Sequence, residues 1–219
     1  MVYNLYIEKS RKDVIYLFYI KHKTILILLL LTALAAILTA CGDDQPAVNI
    51  DNDGNPVELP DWIEEDLIPV NEYSRPGEPT DDITGIVIHY VGNPGTSAKA
   101  NRSYFAGLAK SGATYASSNF IVGLDGEVIE CVPLGEIAYA SNNRNHDTIS
   151  IECCHPDETG EFTPETYESL LRLCRFLVEL YDLEPESIIR HYDVTGKICP
   201  KYYVEHEDAW ARLVEDIYK

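Results

Sequence analysis

The chain has 219 residues, with 17 basic and 36 acidic side chains and a formal net charge of −19. Apolar residues make up 46% of it, too many for a disordered chain and enough for a sizeable core. The acidity argues against a nucleic-acid partner, which requires a basic face. The 13 Gly and 12 Pro are ordinary numbers that exclude collagen-like and low-complexity architectures. Length suggests one domain with a short appendage.

Charge is spread unevenly. Residues 1–40 hold five basic residues (Lys9, Arg11, Lys12, Lys21, Lys23) and two acidic ones (Glu8, Asp13). The rest carries 12 basic and 34 acidic residues, a net −22. A basic head before an acidic body is a targeting pattern. After Lys23, Thr24 to Ala40 form a 17-residue apolar run, short for a spanning helix and near the length of a signal-peptide core. It ends in Leu38-Thr39-Ala40-Cys41-Gly42. A small residue before a cysteine, with leucine three back, resembles the bacterial lipobox. That resemblance implies a lipoprotein signal peptide over 1–41, acylation of Cys41 and an extracytoplasmic body anchored to the cell membrane. The alternative is an uncleaved amino-terminal anchor helix.

Residues 42–75 are rich in Asp, Asn, Pro and Gly and read as an acidic tether. Scattered apolar residues from Leu59 to Val70 suggest a short arm packed on the domain. From 76 to 219 the pattern is that of one globular domain. Ile83 to Tyr90 reads as a buried strand. Thr96 to Gly112 has helical spacing, with Ala100, Tyr104 and Leu108 on one face. Asn119 to Leu124 and Glu127 to Val132 flank Asp125-Gly126, a hairpin signal. Ile137 to Ser141 and Thr148 to Cys153 read as further strands. Thr163-Pro164-Glu165 opens a helix with a hydroxyl cap and Pro at its first position. Tyr167, Leu170, Leu171, Cys174, Leu177, Val178 and Tyr181 line its apolar face. Glu186 to His191 reads as a strand, and a last helix starts near Val204. Strands mixed with helices predict an α/β fold, a mixed central sheet flanked by helices.

His191 and Cys199 sit in His191-Tyr192-Asp193-Val194-Thr195-Gly196-Lys197-Ile198-Cys199-Pro200. A loop of that length, with a Gly for the bend, can bring an imidazole and a thiolate to one ion. His89 ends a buried strand. Three N/S donors and an open fourth position describe a catalytic zinc site. Spacing alone leaves equally open a hydrogen-bonded strand-end histidine and an inert thiol.

Residues 83–202 resemble the zinc-dependent N-acetylmuramoyl-L-alanine amidases, the family shared by phage endolysins, bacterial autolysins and animal peptidoglycan recognition proteins. The matching stretches are IVIHYVGNPGTSAKANRSYF (86–105), SSNFIVGLDGEVIECVP (117–133), TISIECCHP (148–156) and RHYDVTGKICP (190–200). The resemblance implies Zn2+ on His89, His191 and Cys199. It places Glu152 as general base and proton shuttle, and Lys197 as a cationic stabiliser of the oxyanion. It implies a muramoyl–alanine amide of peptidoglycan or muropeptides as substrate. Two departures stand out. Ser118 occupies a position where some phage enzymes carry Tyr. The stretch Ala138 to Arg144 lacks the His of many relatives. Arg144 reads either as a contact for a peptide carboxylate or as a surface residue. His146 and His155, in polar loops, and His206, at the start of the last helix, read as non-ligands, and Cys131, Cys153, Cys154 and Cys174 as buried free thiols by default, with disulfides permitted. A non-catalytic muropeptide-binding protein is the alternative function. Binding-only members of the family typically lack the zinc cysteine, whereas Cys199 is present here.

Overall fold

The structure, a computed structural model, describes residues 48–219. The expected signal segment and Cys41 lie outside the described residues. Val48–Lys219 is one compact unit, in which no helix is long and apolar enough to cross a membrane.

Six strands form one mixed sheet: β1 (Ile63–Glu65), β2 (Gly85–Tyr90), β3 (Phe120–Val122), β4 (Val128–Glu130), β5 (Thr148–Cys153) and β6 (Ile188–Arg190). Their spatial order is β1-β4-β3-β5-β2-β6. Only the β3–β4 hairpin is antiparallel; the other neighbours run parallel. The helices are α1 (Ala98–Ser111), α2 (Pro164–Tyr181), α3 (His191–Thr195), α4 (Lys201–Glu205) and α5 (Glu207–Ile217).

The alternation of each strand divides the sheet into two faces. Ile86, Ile88, Phe120, Val122, Ile149, Ile151 and Cys153 point into the larger core, packed under Leu170, Leu173 and Leu177 of α2 and Leu213 and Ile217 of α5. The other face carries Ile121 and Ile129, covered by Ala98, Phe105 and Leu108 of α1. That helix lies on β3 and β4. His89 of β2 and Glu152 of β5 belong to this second face, which is where the candidate site forms.

Helix α2 starts as its sequence predicts. The Thr163 hydroxyl accepts from the Thr166 amide, and Pro164 takes the first position, where its missing N–H costs nothing. Helix α1 forms where expected but turns a different face inward. Ala98, Asn101, Phe105 and Leu108 are buried, while Tyr104 is 54% exposed. Asn101 is the reason: its amide donates to the Thr96 hydroxyl and to the Ser97 carbonyl, so a polar residue takes an inward position that an apolar count misses. Ile137 to Ser141, expected as a strand, is a loop. Ser117 holds it by accepting from the Tyr139 amide and donating to the Tyr139 carbonyl. The expected last helix is two helices, because His206 between them is extended, with φ −130° and ψ 84°.

The packed arm expected over Leu59 to Val70 is present, and it extends further than expected, through residues 48–75. They are folded onto the domain. Ile63 is aligned with Val128 as β1 joins β4. Ile68 is completely buried, and its amide donates to the Cys131 carbonyl. Arg75 makes a bidentate pair with Glu136, both bonds 2.7 Å, and donates to the Ile68 carbonyl. The Asn49 side chain accepts from the Leu134 amide at 2.7 Å. Apolar residues too sparse to show a period suffice here because Ile63 joins the larger core and Ile68 the smaller one.

One buried group beneath this arm is unusual. Glu130 is wholly buried, and neither carboxylate oxygen has a hydrogen-bond partner. Its register partner in β1 is Glu65. Burial pushes the carboxyl up to about 8. Asn49 and Arg75 oppose the rise, and the charges of Glu65 and Glu136 add to it.

Candidate active site

The site grows from three backbone features. The first is the pairing of β2 with β5, which sets His89 beside Glu152. Parallel strands in register project such neighbours on the same side. The second is the abrupt change from β6 to α3. Arg190 closes the strand, and Asp193 accepts from the Arg190 amide at 2.8 Å and from its guanidinium. His191 is therefore fixed as the first residue of α3. The third is the return of the chain after α3. Gly196 adopts φ 78°, a left-handed conformation that glycine takes without a Cβ clash. The Tyr192 amide then donates to the Cys199 carbonyl at 2.9 Å, which folds the loop back on itself.

His89, His191 and Cys199 consequently meet. Each is buried, and one donor atom from each lies within 4.8 Å of the others. His89 Nδ1 is 3.8 Å from the Cys199 Sγ. The two imidazole centroids are 4.7 Å apart, inclined at 61°. His191 Nδ1 and Glu152 Oε2 are buried without a hydrogen-bond partner.

This donor set fits a zinc ion. Two neutral nitrogens and a thiolate are its usual ligands, and bond lengths of about 2.0–2.1 Å and 2.3 Å in a tetrahedron separate N from S by about 3.6 Å. The orphaned His191 Nδ1 is the atom such an ion would take.

The electrostatics agree. Burial holds the His89 imidazolium well below its ordinary pKa, with His191 and Lys197 adding to the effect. Burial and Lys197 lower His191 in the same direction. Both rings are thus favoured in the neutral form that binds metal. Burial pushes Glu152 up to about 8, against the pull of Lys197. Burial and the Glu152 charge push the Cys199 thiol up to about 12, again against Lys197. The Lys197 side chain is exposed, yet its charge acts on all four groups. A cation among these donors would reverse the pressure on the thiol and the carboxyl, because a coordinated thiol gives up its proton.

The residues 79–202 match the family described as N-acetylmuramoyl-L-alanine amidase. The chain belongs to that family. The amidase domain is 33% identical over 154 residues to the N-acetylmuramoyl-L-alanine amidase CwlL of Bacillus licheniformis, covering 65% of this chain and 42% of that protein. It is 32% identical over 160 residues to the N-acetylmuramoyl-L-alanine amidase BlyA of Bacillus subtilis (strain 168), covering 64% and 42%. The chain therefore spans less than half the length of these relatives. The fold matches the catalytic domain of XlyA with a TM-score of 0.59 at 25% identity, over 71% of this chain and 98% of that one. It matches PlyL with a TM-score of 0.61 at 20% identity, over 71% and 96%.

The other sequence candidates sort as follows. Arg144 is committed to structure, donating to Asp147 at 2.8 Å and to the Thr84 hydroxyl at 3.1 Å. The Ser118 hydroxyl is buried and donates to the Phe120 carbonyl. His146 and His206 are exposed. His155 is buried rather than in polar surroundings; its Nδ1 lies 2.7 Å from the Asp157 carbonyl oxygen, and its ring lies 4.9 Å from that of Tyr90. Cys131, Cys153, Cys154 and Cys174 are buried free thiols. Sequence reasoning passed over Ser141 and Asn142. Ser141 Oγ lies 3.1 Å from His89 Nε2, and Asn142 Oδ1 lies 3.0 Å from His191 Nε2. The only signal was two short polar side chains in succession, which marks a turn as readily as a site.

Proposed function

We propose that the domain is a zinc-dependent amidase that hydrolyses the bond between the lactyl group of N-acetylmuramic acid and L-alanine in peptidoglycan or its fragments. The convergence of His89, His191 and Cys199 beside a half-buried Glu152, whose Oε2 is buried without a partner, carries the reading. A zinc ion bound there supplies Lewis-acid polarisation of the scissile carbonyl and water made acidic enough to attack near neutral pH. Glu152 accepts the proton of the attacking water and passes it to the nitrogen of the departing alanine as the C–N bond breaks. Lys197, whose charge reaches the site from an exposed loop, stabilises the negative oxygen of the tetrahedral intermediate. The imidazoles stay neutral throughout and hold the metal.

The test is mass spectrometry of muropeptides incubated with the full chain in detergent, with and without added zinc. Release of free stem peptide and unsubstituted muramic acid, dependent on zinc, is the expected result. Muropeptide binding without cleavage would overturn it in favour of a recognition protein.

We propose in addition that Cys41 is acylated and holds the body outside the cytoplasm at the membrane. The motif Leu38-Thr39-Ala40-Cys41 supports this, since two acyl chains on one residue anchor far more firmly than one. In the native host, the protein is expected in the detergent phase, and Cys41→Ser releases or stalls it. Unchanged partitioning with an intact amino terminus would show an anchor helix instead.

A further inference from the structure

We propose that Ser141 and Asn142 form a positioning pair that sets the tautomer and aim of both metal-binding imidazoles. The inference rests on the zinc reading above and concerns residues that do not touch the metal.

Each imidazole has two nitrogens, and only a ring nitrogen with a free lone pair can bind a metal. Which nitrogen keeps that lone pair depends on the hydrogen bond made by the other. At His89, Nε2 faces the Ser141 hydroxyl at 3.1 Å while Nδ1 faces Cys199. At His191, Nε2 faces the Asn142 side-chain oxygen at 3.0 Å while Nδ1 is buried and unpartnered. An amide oxygen only accepts, so His191 carries its hydrogen on Nε2 and keeps the Nδ1 lone pair. With metal on His89 Nδ1, its Nε2–H donates to Ser141 in the same way. Two consecutive residues thus leave both Nδ1 atoms free toward one point.

The backbone is shaped for this. Ser141 is completely buried. Asn142 has φ +55°, in the left-handed region that most side chains avoid and asparagine tolerates best. The reversal at Asn142 lets adjacent side chains reach two different rings. The loop is braced from outside the site. Asn145 Oδ1 accepts from the Ala140 and Ser141 amides at 3.1 and 2.5 Å, and the Thr148 hydroxyl donates to the Arg144 carbonyl at 2.6 Å. A turn needed only to connect β4 to β5 would not require both side chains to end on metal-binding rings.

The measurement is the zinc dissociation constant of the full chain in detergent, by competition with a chromophoric chelator, together with the thermal midpoint of the chelator-treated protein. Ser141→Ala and Asn142→Gly are each expected to weaken zinc binding by about 10- to 100-fold. Glycine keeps the left-handed backbone, so Asn142→Gly removes the amide alone and leaves the midpoint of the chelator-treated protein near that of the parent. Asn142→Asp keeps an acceptor oxygen on His191 and is expected to hold zinc at least as tightly as the parent. Loss of affinity in Asn142→Gly with retention in Asn142→Asp separates positioning from a structural role. Variants that bind zinc within twofold of a zinc-binding parent overturn this proposal and leave the amidase reading intact. A parent that binds no zinc overturns both.

Discussion

His89 and Glu152 are register partners on adjacent parallel strands, so a proposed metal donor and the proposed proton carrier are held by the same backbone ladder. Their spacing is set by the sheet rather than by a loop. Glu152→Gln preserves the shape and removes the basic site. It is expected to lower the rate of muropeptide cleavage by about 10²- to 10⁴-fold while zinc content and fold persist. A variant as active as the parent would refute the proton-carrier role, and one that loses zinc would make Glu152 a ligand.

Cys199 contributes differently, as the one sulfur donor. Cys199→Ser is expected to lose zinc and activity together. Ligand binding to the folded state alone stabilises it, by about 4 kcal/mol at 1,000 times the dissociation constant. The parent should therefore melt several degrees lower after chelation, and Cys199→Ser should show no such difference by calorimetry.

Glu130 makes stability depend on pH. Its pKa in the fold is raised to about 8, above its value in the unfolded chain. The native state therefore holds a proton that the unfolded state releases. The stabilisation is fully present below about pH 4 and is lost as pH rises through about 8. Glu130→Gln mimics the neutral form. Its denaturation midpoint should match the parent near pH 4 and exceed it increasingly up to pH 8.5. A parallel pH profile for the two proteins would refute this.

Ile68 tests the arm. It is fully buried among α1 and the β3–β4 hairpin, and Ile68→Ala should cost about 2–5 kcal/mol in urea unfolding. A cost below about 0.5 kcal/mol, the level of an ordinary surface change, would mean that the arm contributes nothing to the fold.

The spacing of His191 and Cys199 around Gly196, and His89 at the end of a β-branched strand, offered a metal site and an inert one equally, and the family resemblance singled out the three proposed donors. Glu152 was legible only through the resemblance, which its place in an apolar strand between Ile151 and Cys153 did not contradict. The pairing of Ser141 and Asn142 with the imidazoles was not, because it depends on a left-handed backbone at a single asparagine and on Asn145 bracing the turn from a distance. The inward face of α1 was misread because Asn101 takes a buried place through hydrogen bonds, which hydrophobic periodicity cannot register. The packing of Leu59 to Val70 was legible in its scattered apolar residues, but its extension over 48–75 was not, because Asp, Asn and Pro there satisfy the same composition whether they solvate a linker or cap contacts such as that of Asn49 with Leu134.

The folded arm would shorten any leash provided by an acylated Cys41. A tether running from Cys41 to residue 75 could extend to about 110–120 Å, whereas the seven steps from Cys41 to Val48 could span about 25 Å at most. If Cys41 is acylated as proposed, the amidase domain would be confined to the layer just outside the bilayer. It would then work on newly made or released material passing close to the membrane, and the outer strata of the wall would lie beyond its range.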